Sequence, residues 1–418
     1  MIRVMLLLLS PLAGVALFAQ APKKAPGQFG IREDGITSPA MREAITRLNE
    51  AGLHEGKRGS LTFFRWAEGT PPKLAHLGLW GQKAGNEQFA LIASLPDLEH
   101  VSIYETDIDD AGINAALKLK NLRTLSILPI SRYEKAEFGP PQWSYPFVKP
   151  RADRPRVTGK GLKELTAIRT IEHLDLLDAD IASAHLHLLT EWPKLGTLSL
   201  PRPIDDEAVK HLGQCKRLSA LTIGHREITA AELTALGHWA GLKKLTIWHA
   251  TLSPEALAAL AKLESVGELH LHECGLKDEH LKHLKIPPKL TYLALERNEI
   301  DGPGIEHLTR WKLKKLGLEF NNISDKTLSH LSQLTTVDNL ALSYCRGITD
   351  DGIRSGTLQK MTQLKQLGLR GCKQITDATL DDLVKFGYLE QITIRETGIS
   401  VDAVEKMKKA MPKTVVFK

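Results

Sequence analysis

Apolar residues recur along this chain on a period of about 24 residues, and the stretch from Leu364 to Leu383 shows the unit most plainly. Leu364, Leu367 and Leu369 alternate with polar or small residues, Cys372 and Ile375 follow, and Thr376-Asp377 leads into Leu380 and Leu383. Alternation at period two predicts a short strand with one buried face. A Thr or Asp ahead of two apolar residues at helical spacing predicts a capped short helix. The same skeleton starts at Leu74, Leu98, Leu122, Ile171, Leu195, Leu218, Leu242, Val266, Leu290, Leu313, Val337, Leu364 and Leu389, at spacings of 23–27 except for a gap of 49 after Leu122. Each unit therefore reads as strand, turn and helix. Asp109, Thr229, Ser253, Asp301, Ser324, Thr349, Thr376 and Ser400 are the expected helix caps. Thirteen such units stack instead of closing a sphere.

The eighth residue after a strand start is small and polar or a thiol: Cys274, Asn298, Asn321, Cys345 and Cys372. Such a side chain is expected to point inward beneath the turn and bond neighbouring backbone. The L-x-x-L-x-L spacing, repeated thirteen times over about 74–411, resembles the leucine-rich repeat family. The segments Cys345-Arg-Gly-Ile-Thr-Asp and Cys372-Lys-Gln-Ile-Thr-Asp are similar to its cysteine-containing, F-box-protein-like subclass. That resemblance implies an α/β solenoid, with a curved parallel sheet on the concave side, short helices on the convex side, and a habit of binding other macromolecules. Cys345 and Cys372 are expected to be buried neighbours with a structural role.

Strand alternation turns the second, fourth and sixth residues of each unit towards the hollow, with the seventh at the rim. The fourth-position column is nearly all small, from Gly78 and Ser102 to Ala341 and Gly368. Small residues let a ligand approach the backbone. The sixth and seventh positions supply the candidate partner-binding residues: Trp80, Tyr104, Trp248, His249, His272, Glu296, Arg297, Glu319, Phe320, Tyr344, Arg370 and Arg395, with His270 at a fourth position. Aromatic anchors among oriented charges are what a protein-binding surface uses. The 49-residue gap holds an insertion at 128–157, Pro-rich with five aromatics, from which Trp143 joins the candidates. The insertion is expected to fold over the hollow or grip a partner.

Outside the array, residues 1–19 have one basic residue, Arg3, then an apolar run from Val4 to Phe18, the outline of a signal peptide. Residues 20–35 read as a flexible lead-in, 36–73 as an N-terminal cap and 412–418 as a closing strand. Net charge is +6, charged residues are 25% and hydrophobic ones 42%, ordinary values that argue against a nucleic-acid partner. Four cysteines are too few for a disulfide scaffold.

Catalytic machinery is not in evidence. There is no phosphate loop, nucleophile elbow or metalloprotease helix. Asp109-Asp110, Asp205-Asp206 and Asp350-Asp351 read as helix starts, with Thr349 as the cap in the last case. His270 and His272, with His249 and Glu273 nearby, have the donor types of a zinc site, but an i,i+2 pair is too common to make one. Neither metal nor cofactor is expected. The chain reads as a non-enzymatic, secreted or periplasmic recognition scaffold. It is expected to be a monomer without a membrane span after signal cleavage, binding a protein or peptide on the concave face. The alternative is a structural cell-envelope or self-assembly module without a concave ligand.

Overall fold

The structure, a computed structural model, describes residues 62–67, 73–80, 85–128 and 156–418, apart from 96, 105, 201–202 and 225, together with four isolated positions between 43 and 50. The expected signal peptide (1–19), the lead-in (20–35), most of the expected N-terminal cap (36–73) and nearly all of the insertion at 128–157 lie outside the described residues. Trp143 lies outside them too. Among the described residues no helix is long and apolar enough to cross a membrane.

The described residues divide into two compact units, one holding those up to Ile181 with Glu191–Thr197, the other Ala182–Thr190 with Leu198–Lys418. In the first, β1 (Thr62–Ala67) pairs antiparallel with β2 (Lys73–Trp80), and β3 (His100–Tyr104), β4 (Thr124–Leu128) and β5 (His173–Asp175) follow in parallel. β6 (Thr197–Leu200) begins on the last residue of the first unit and runs into the second, which goes on to β7 (Ala220–Gly224). Its short β8 (Glu227–Ile228) pairs in parallel with β10 (Thr251–Leu252), on either side of β9 (Lys244–Trp248) in the chain. The main sheet continues through β11 (Glu268–His272), β12 (Tyr292–Ala294), β13 (Lys315–Gly317) and β14 (Asn339–Ala341). It closes with β15 (Gln366–Gly368), β16 (Gln391–Thr393) and β17 (Val415–Phe417), each pairing in parallel with its predecessor.

The alternation seen in the sequence sets the layers. Leu269, Leu271, Leu293 and Leu295 are wholly buried, as are the helix residues Leu257 and Leu260. The strand starts fall about two residues before the strands, because those leucines pack in the turn before pairing begins.

Two hydrogen-bonded columns tie repeat to repeat. In the first, the Asn298 amide accepts from the N–H groups of Cys274 and Leu276, and donates to the carbonyls of Leu271 and Leu295, both at 2.8 Å. Asn321 repeats the pattern with Ile300, Leu295 and Leu318. The thiols of Cys274, Cys345 and Cys372 donate to carbonyls of Ile247, Leu318 and Leu342 at 3.3–3.5 Å. All four cysteines are buried, unpaired thiols, and burial pushes Cys274 and Cys372 up to about 12.

The second column runs along the helix starts. Asp325 accepts from the Thr349 N–H and hydroxyl at 2.8 and 2.6 Å, and Asp350 does the same for Thr376 at 2.7 Å each. Each Thr in turn caps its own helix, with Thr349 accepting from Asp351 and Thr376 from Ala378. Asp109, Asp205, Thr229, Ser253 and Ser400 cap as expected. Asp301 does not. Its helix begins at Pro303, because Asp278 of the preceding repeat already takes the N–H groups of Asp301, Gly302 and Gly304. Ser324 also makes no side-chain cap bond; its backbone N–H instead meets the Thr327 hydroxyl at 3.3 Å.

An expected outcome follows for the asparagine column. Asn298→Ala strands at least two buried N–H groups and two carbonyls, so chemical denaturation should show a loss of about 2–3 kcal/mol. Cys274→Ala, which removes only weak thiol bonds, should cost about 1 kcal/mol.

Candidate functional site

The site is built in the second unit by a break in alternation. A regular strand would turn the seventh residue of each repeat inward and the eighth outward. Instead, the seventh residue adopts a left-handed conformation: His249, Glu273, Arg297, Phe320, Tyr344 and Glu396 have φ between 50° and 61°. These six are all the non-glycine residues with positive φ among the described residues, and Gly371 holds the same place at 74°. The turn sends the eighth side chain into the core and leaves the sixth and seventh together on the face opposite the helices. Each turn is held from outside. The N–H groups of His249, Glu273, Arg297, Phe320, Tyr344 and Gly371 donate at 2.6–3.2 Å to the sixth-position carbonyl of the next repeat. A left-handed residue other than glycine costs of order 1–3 kcal/mol and persists only where its surroundings over-determine it.

The seventh-position side chains join into one ribbon. His249 Nδ1 lies 3.5 Å from Glu273 Oε2, which also accepts from Trp248 Nε1 at 3.2 Å. Glu273 Oε1 faces Arg297 Nε at 3.6 Å, and the Arg297 guanidinium sits 4.2 Å above the Phe320 ring. Phe320 stacks on Tyr344 with centroids 4.5 Å apart and planes 12° from parallel. Tyr344 then spans a repeat to donate to Glu396 at 2.7 Å, where Arg370 also bonds. Gly371 makes that span possible, since a Cβ there would stand 2.3 Å from the Tyr344 ring. Burial and the Glu396 bond push the Tyr344 hydroxyl up to about 12.

Beside the ribbon runs a polar chain whose two histidines are buried and whose lysine and carboxylates are half-buried. Lys244 Nζ lies 2.5 Å from Glu268 Oε1, which meets His270 Nε2 at 2.6 Å. His270 Nδ1 faces His272 Nε2 at 2.9 Å, and His272 Nδ1 reaches Glu296 Oε2 at 2.5 Å. Glu296 and Glu319 then converge above Gly317, where a Cβ would stand 3.0 Å from an oxygen of each. Burial would raise Glu268, but bonds from His270 and Lys244 outweigh it and hold the carboxyl at about 2. Burial likewise works against Glu296, and the charge and hydrogen bond of His272 overcome it, leaving that carboxyl below its usual range. Glu319 goes the other way: burial, then the Glu296 charge, push it well above. Burial also lowers His270, against the Glu268 bond that favours its charged form.

The predicted residues are thus sorted. Trp248 and His272 stand in register, with Glu296, Glu319, Arg370 and Arg395 in the following sixth positions. His249, Arg297, Phe320 and Tyr344 share the ribbon. Trp80 and Tyr104 are in register on β2 and β3 of the first unit. His270 and His272, expected to face a ligand, are only 6% and 7% exposed, because Tyr292 packs edge-on to His270 at 4.9 Å and the carboxylates close over both rings. Their ring nitrogens are spent on each other and on Glu268 and Glu296. Among the described residues no three His, Cys, Asp or Glu side chains are placed to hold a metal ion. Arg395 Nε is buried and finds no hydrogen-bond partner there. Sequence reasoning passed over Lys244, Glu268, Tyr292 and Glu396. The first three lie in the second-position column, whose alternation marks them as facing the same way.

Residues 287–308, around β12, match the family model described as Leucine Rich repeat. The fold is a leucine-rich repeat array. Among solved structures, an internalin from Listeria monocytogenes is 16% identical with a TM-score of 0.39, covering 78% of this chain and 82% of its own. A leucine-rich repeat protein of Leptospira interrogans is also 16% identical, with a TM-score of 0.34 and coverages of 82% and 90%. A TLR13–ssRNA13 complex shows 16% identity and a TM-score of 0.43 over 77% of this chain and 43% of that one. No curated protein matches the sequence.

The repeat register makes a sharp contrast between two glycines. Gly371→Ala should destabilise the array by about 1–3 kcal/mol and erase the near-ultraviolet dichroism of the Phe320–Tyr344 stack. Gly368→Ala, whose Cβ would meet nothing nearer than 3.4 Å, should leave both unchanged.

Proposed function

We propose that the leucine-rich repeat array is a non-enzymatic recognition scaffold, and that a protein or peptide partner lies on the face of the second unit carrying Trp248, Phe320, Tyr344 and Arg370. One observation carries this reading: the row of six non-glycine residues held at positive φ. Backbone strain of this kind gathers where a surface has to be ready before its ligand arrives. The row also brings together the residue types that dominate protein–protein affinity, an arginine over an aromatic stack with a tryptophan beside it. Leucine-rich repeat folds commonly serve as protein-binding scaffolds, which supports a macromolecular partner. The apolar run of residues 1–19 supports an extracytoplasmic setting, secreted or periplasmic.

Trp80 and Tyr104 of the first unit, and Trp143 of the insertion, are proposed as partner-binding residues of their own segments, separately from this face. Glu296, Glu319 and His270 enter the face differently, as the polar support beneath the ribbon.

Capture from the native compartment tests the proposal. Wild-type protein should retain a discrete partner. Trp248→Ala should weaken retention at least tenfold, and Arg370→Glu should do so by reversing a charge held against Glu396. Circular dichroism should show the fold unchanged in both. Equal retention by all three proteins would remove the recognition reading, and homogeneous oligomers of the purified chain, indifferent to Trp248→Ala, would point to self-assembly.

A further inference from the structure

Charge along the sixth-position row of the second unit is sorted by sign. Glu296 and Glu319 follow β12 and β13, Ser343 follows β14, and Arg370 and Arg395 follow β15 and β16. The row is continuous. The carbonyls of Glu319, Ser343, Arg370 and Arg395 each accept the N–H of the preceding repeat's left-handed residue, at 2.6–3.0 Å. In the seventh positions beside it the charges are already engaged. Arg297 faces Glu273 and lies over Phe320, and Glu396 holds Arg370 and the Tyr344 hydroxyl. Glu296 turns one oxygen to His272. Glu319 and Arg395 are left over, and among the described residues no ion pair includes either. Arg395 Nε is buried without a hydrogen-bond partner, and so is Glu319 Oε2.

Between these two groups the side chains are short. Gly317, Ala341, Gly368 and Thr393 stand in register across β13–β16. Over β14–β16 the second-position residues are the uncharged Asn339, Gln366 and Gln391, with Asn339 donating to Gln366 at 2.5 Å. An occupant of this stretch therefore meets a negative group at one end and a positive group at the other. Glu319 and Arg395 stand three strands apart, about 14 Å at the usual strand spacing. In an extended peptide, side chains four residues apart point the same way and lie about 13 Å from each other. A peptide crossing the strands matches both ends at once when its basic and acidic residues keep that spacing. A nucleic acid, negative throughout, would be repelled by Glu296 and Glu319.

We propose that the partner of this face is an extended peptide with a basic and an acidic residue four positions apart. Its side-chain carboxylate sits on Arg395 beside Arg370, and its cation on the half-buried carboxylates of Glu296 and Glu319. Those two glutamates thus meet the partner as well as supporting the ribbon. The inference rests on reading this face as the recognition surface. It adds the partner's chemical character and its orientation, with the basic residue towards the earlier repeats.

Selection from a random heptapeptide library on the immobilised full chain tests the proposal. Enriched sequences should carry a basic and an acidic residue four positions apart. A synthetic copy of the strongest sequence should lose about tenfold or more in affinity when its acidic residue becomes the matching amide, and Arg395→Ala should cost the same. Both changes together should cost no more than either alone, the mark of one shared contact. Arg395→Glu should prefer a copy with Lys in place of the acidic residue. The peptide-side change is read on wild-type protein, so a variant that misfolds does not hide the answer. Amidation of the peptide's carboxyl end should leave affinity unchanged; a loss there would assign the carboxylate to a chain terminus and overturn the spacing. A library that enriches nothing, or only sequences without the charge pair, would overturn the proposal, as would additive losses in the double change. If capture of a partner still depends on Trp248 while the library shows no charge pair, this inference falls and the recognition reading stands.

Discussion

One hydrogen bond, repeated from unit to unit, sets the character of this molecule: the seventh-position N–H of one repeat donating to the sixth-position carbonyl of the next. A strand that simply ended at its sixth residue would leave that N–H without a partner. Keeping the bond while burying the eighth side chain demands a left-handed seventh residue. The cost recurs in repeat after repeat and is offset by the buried eighth-position amides and thiols, which satisfy carbonyls that the turn would otherwise strand. Core, turn and open face are therefore one constraint viewed from three sides. A change at Asn298 or Cys345 acts on the same geometry as a change at Arg297 or Tyr344.

The repeat was legible because its leucines obey a strict period, and burial of one strand face leaves no other register. The eighth-position column was legible for the same reason, since only small polar or thiol side chains recur there. What escaped was conformation at the seventh position. His249, Glu273, Arg297, Phe320, Tyr344 and Glu396 share no chemistry that marks positive φ, which local preference would give to Gly or Asn. Only Gly371 carried a hint, and its meaning depends on a tyrosine one repeat earlier. The second-position residues Lys244 and Glu268 were passed over because the small and aromatic columns beside them drew attention first. Asp301 misled because a cap signal in sequence cannot reveal that the preceding repeat's Asp278 already serves those N–H groups.

Electrostatics explains how the side chains of this face are held against one another. Three carboxylates, Glu268, Glu273 and Glu296, lie within two consecutive repeats, and each is met by a cation or an imidazole. Left unmatched, such a cluster would force carboxylates together in a poorly hydrated place at several kcal/mol. Matched, it holds Trp248 and Arg297 in fixed orientation through Glu273. The polar chain is thus the support on which the aromatic ribbon is mounted. Recognition and stability draw on the same residues.

Amide hydrogen exchange resolved to single residues tests the central constraint most directly. If the inter-repeat bond holds each left-handed turn, the amides of His249, Glu273, Arg297, Phe320 and Tyr344 will be protected to the level of Leu269 and Leu293 in the middle of the sheet. Exchange of those five as fast as the exposed outer turns at Lys282 and Lys360 would contradict the account.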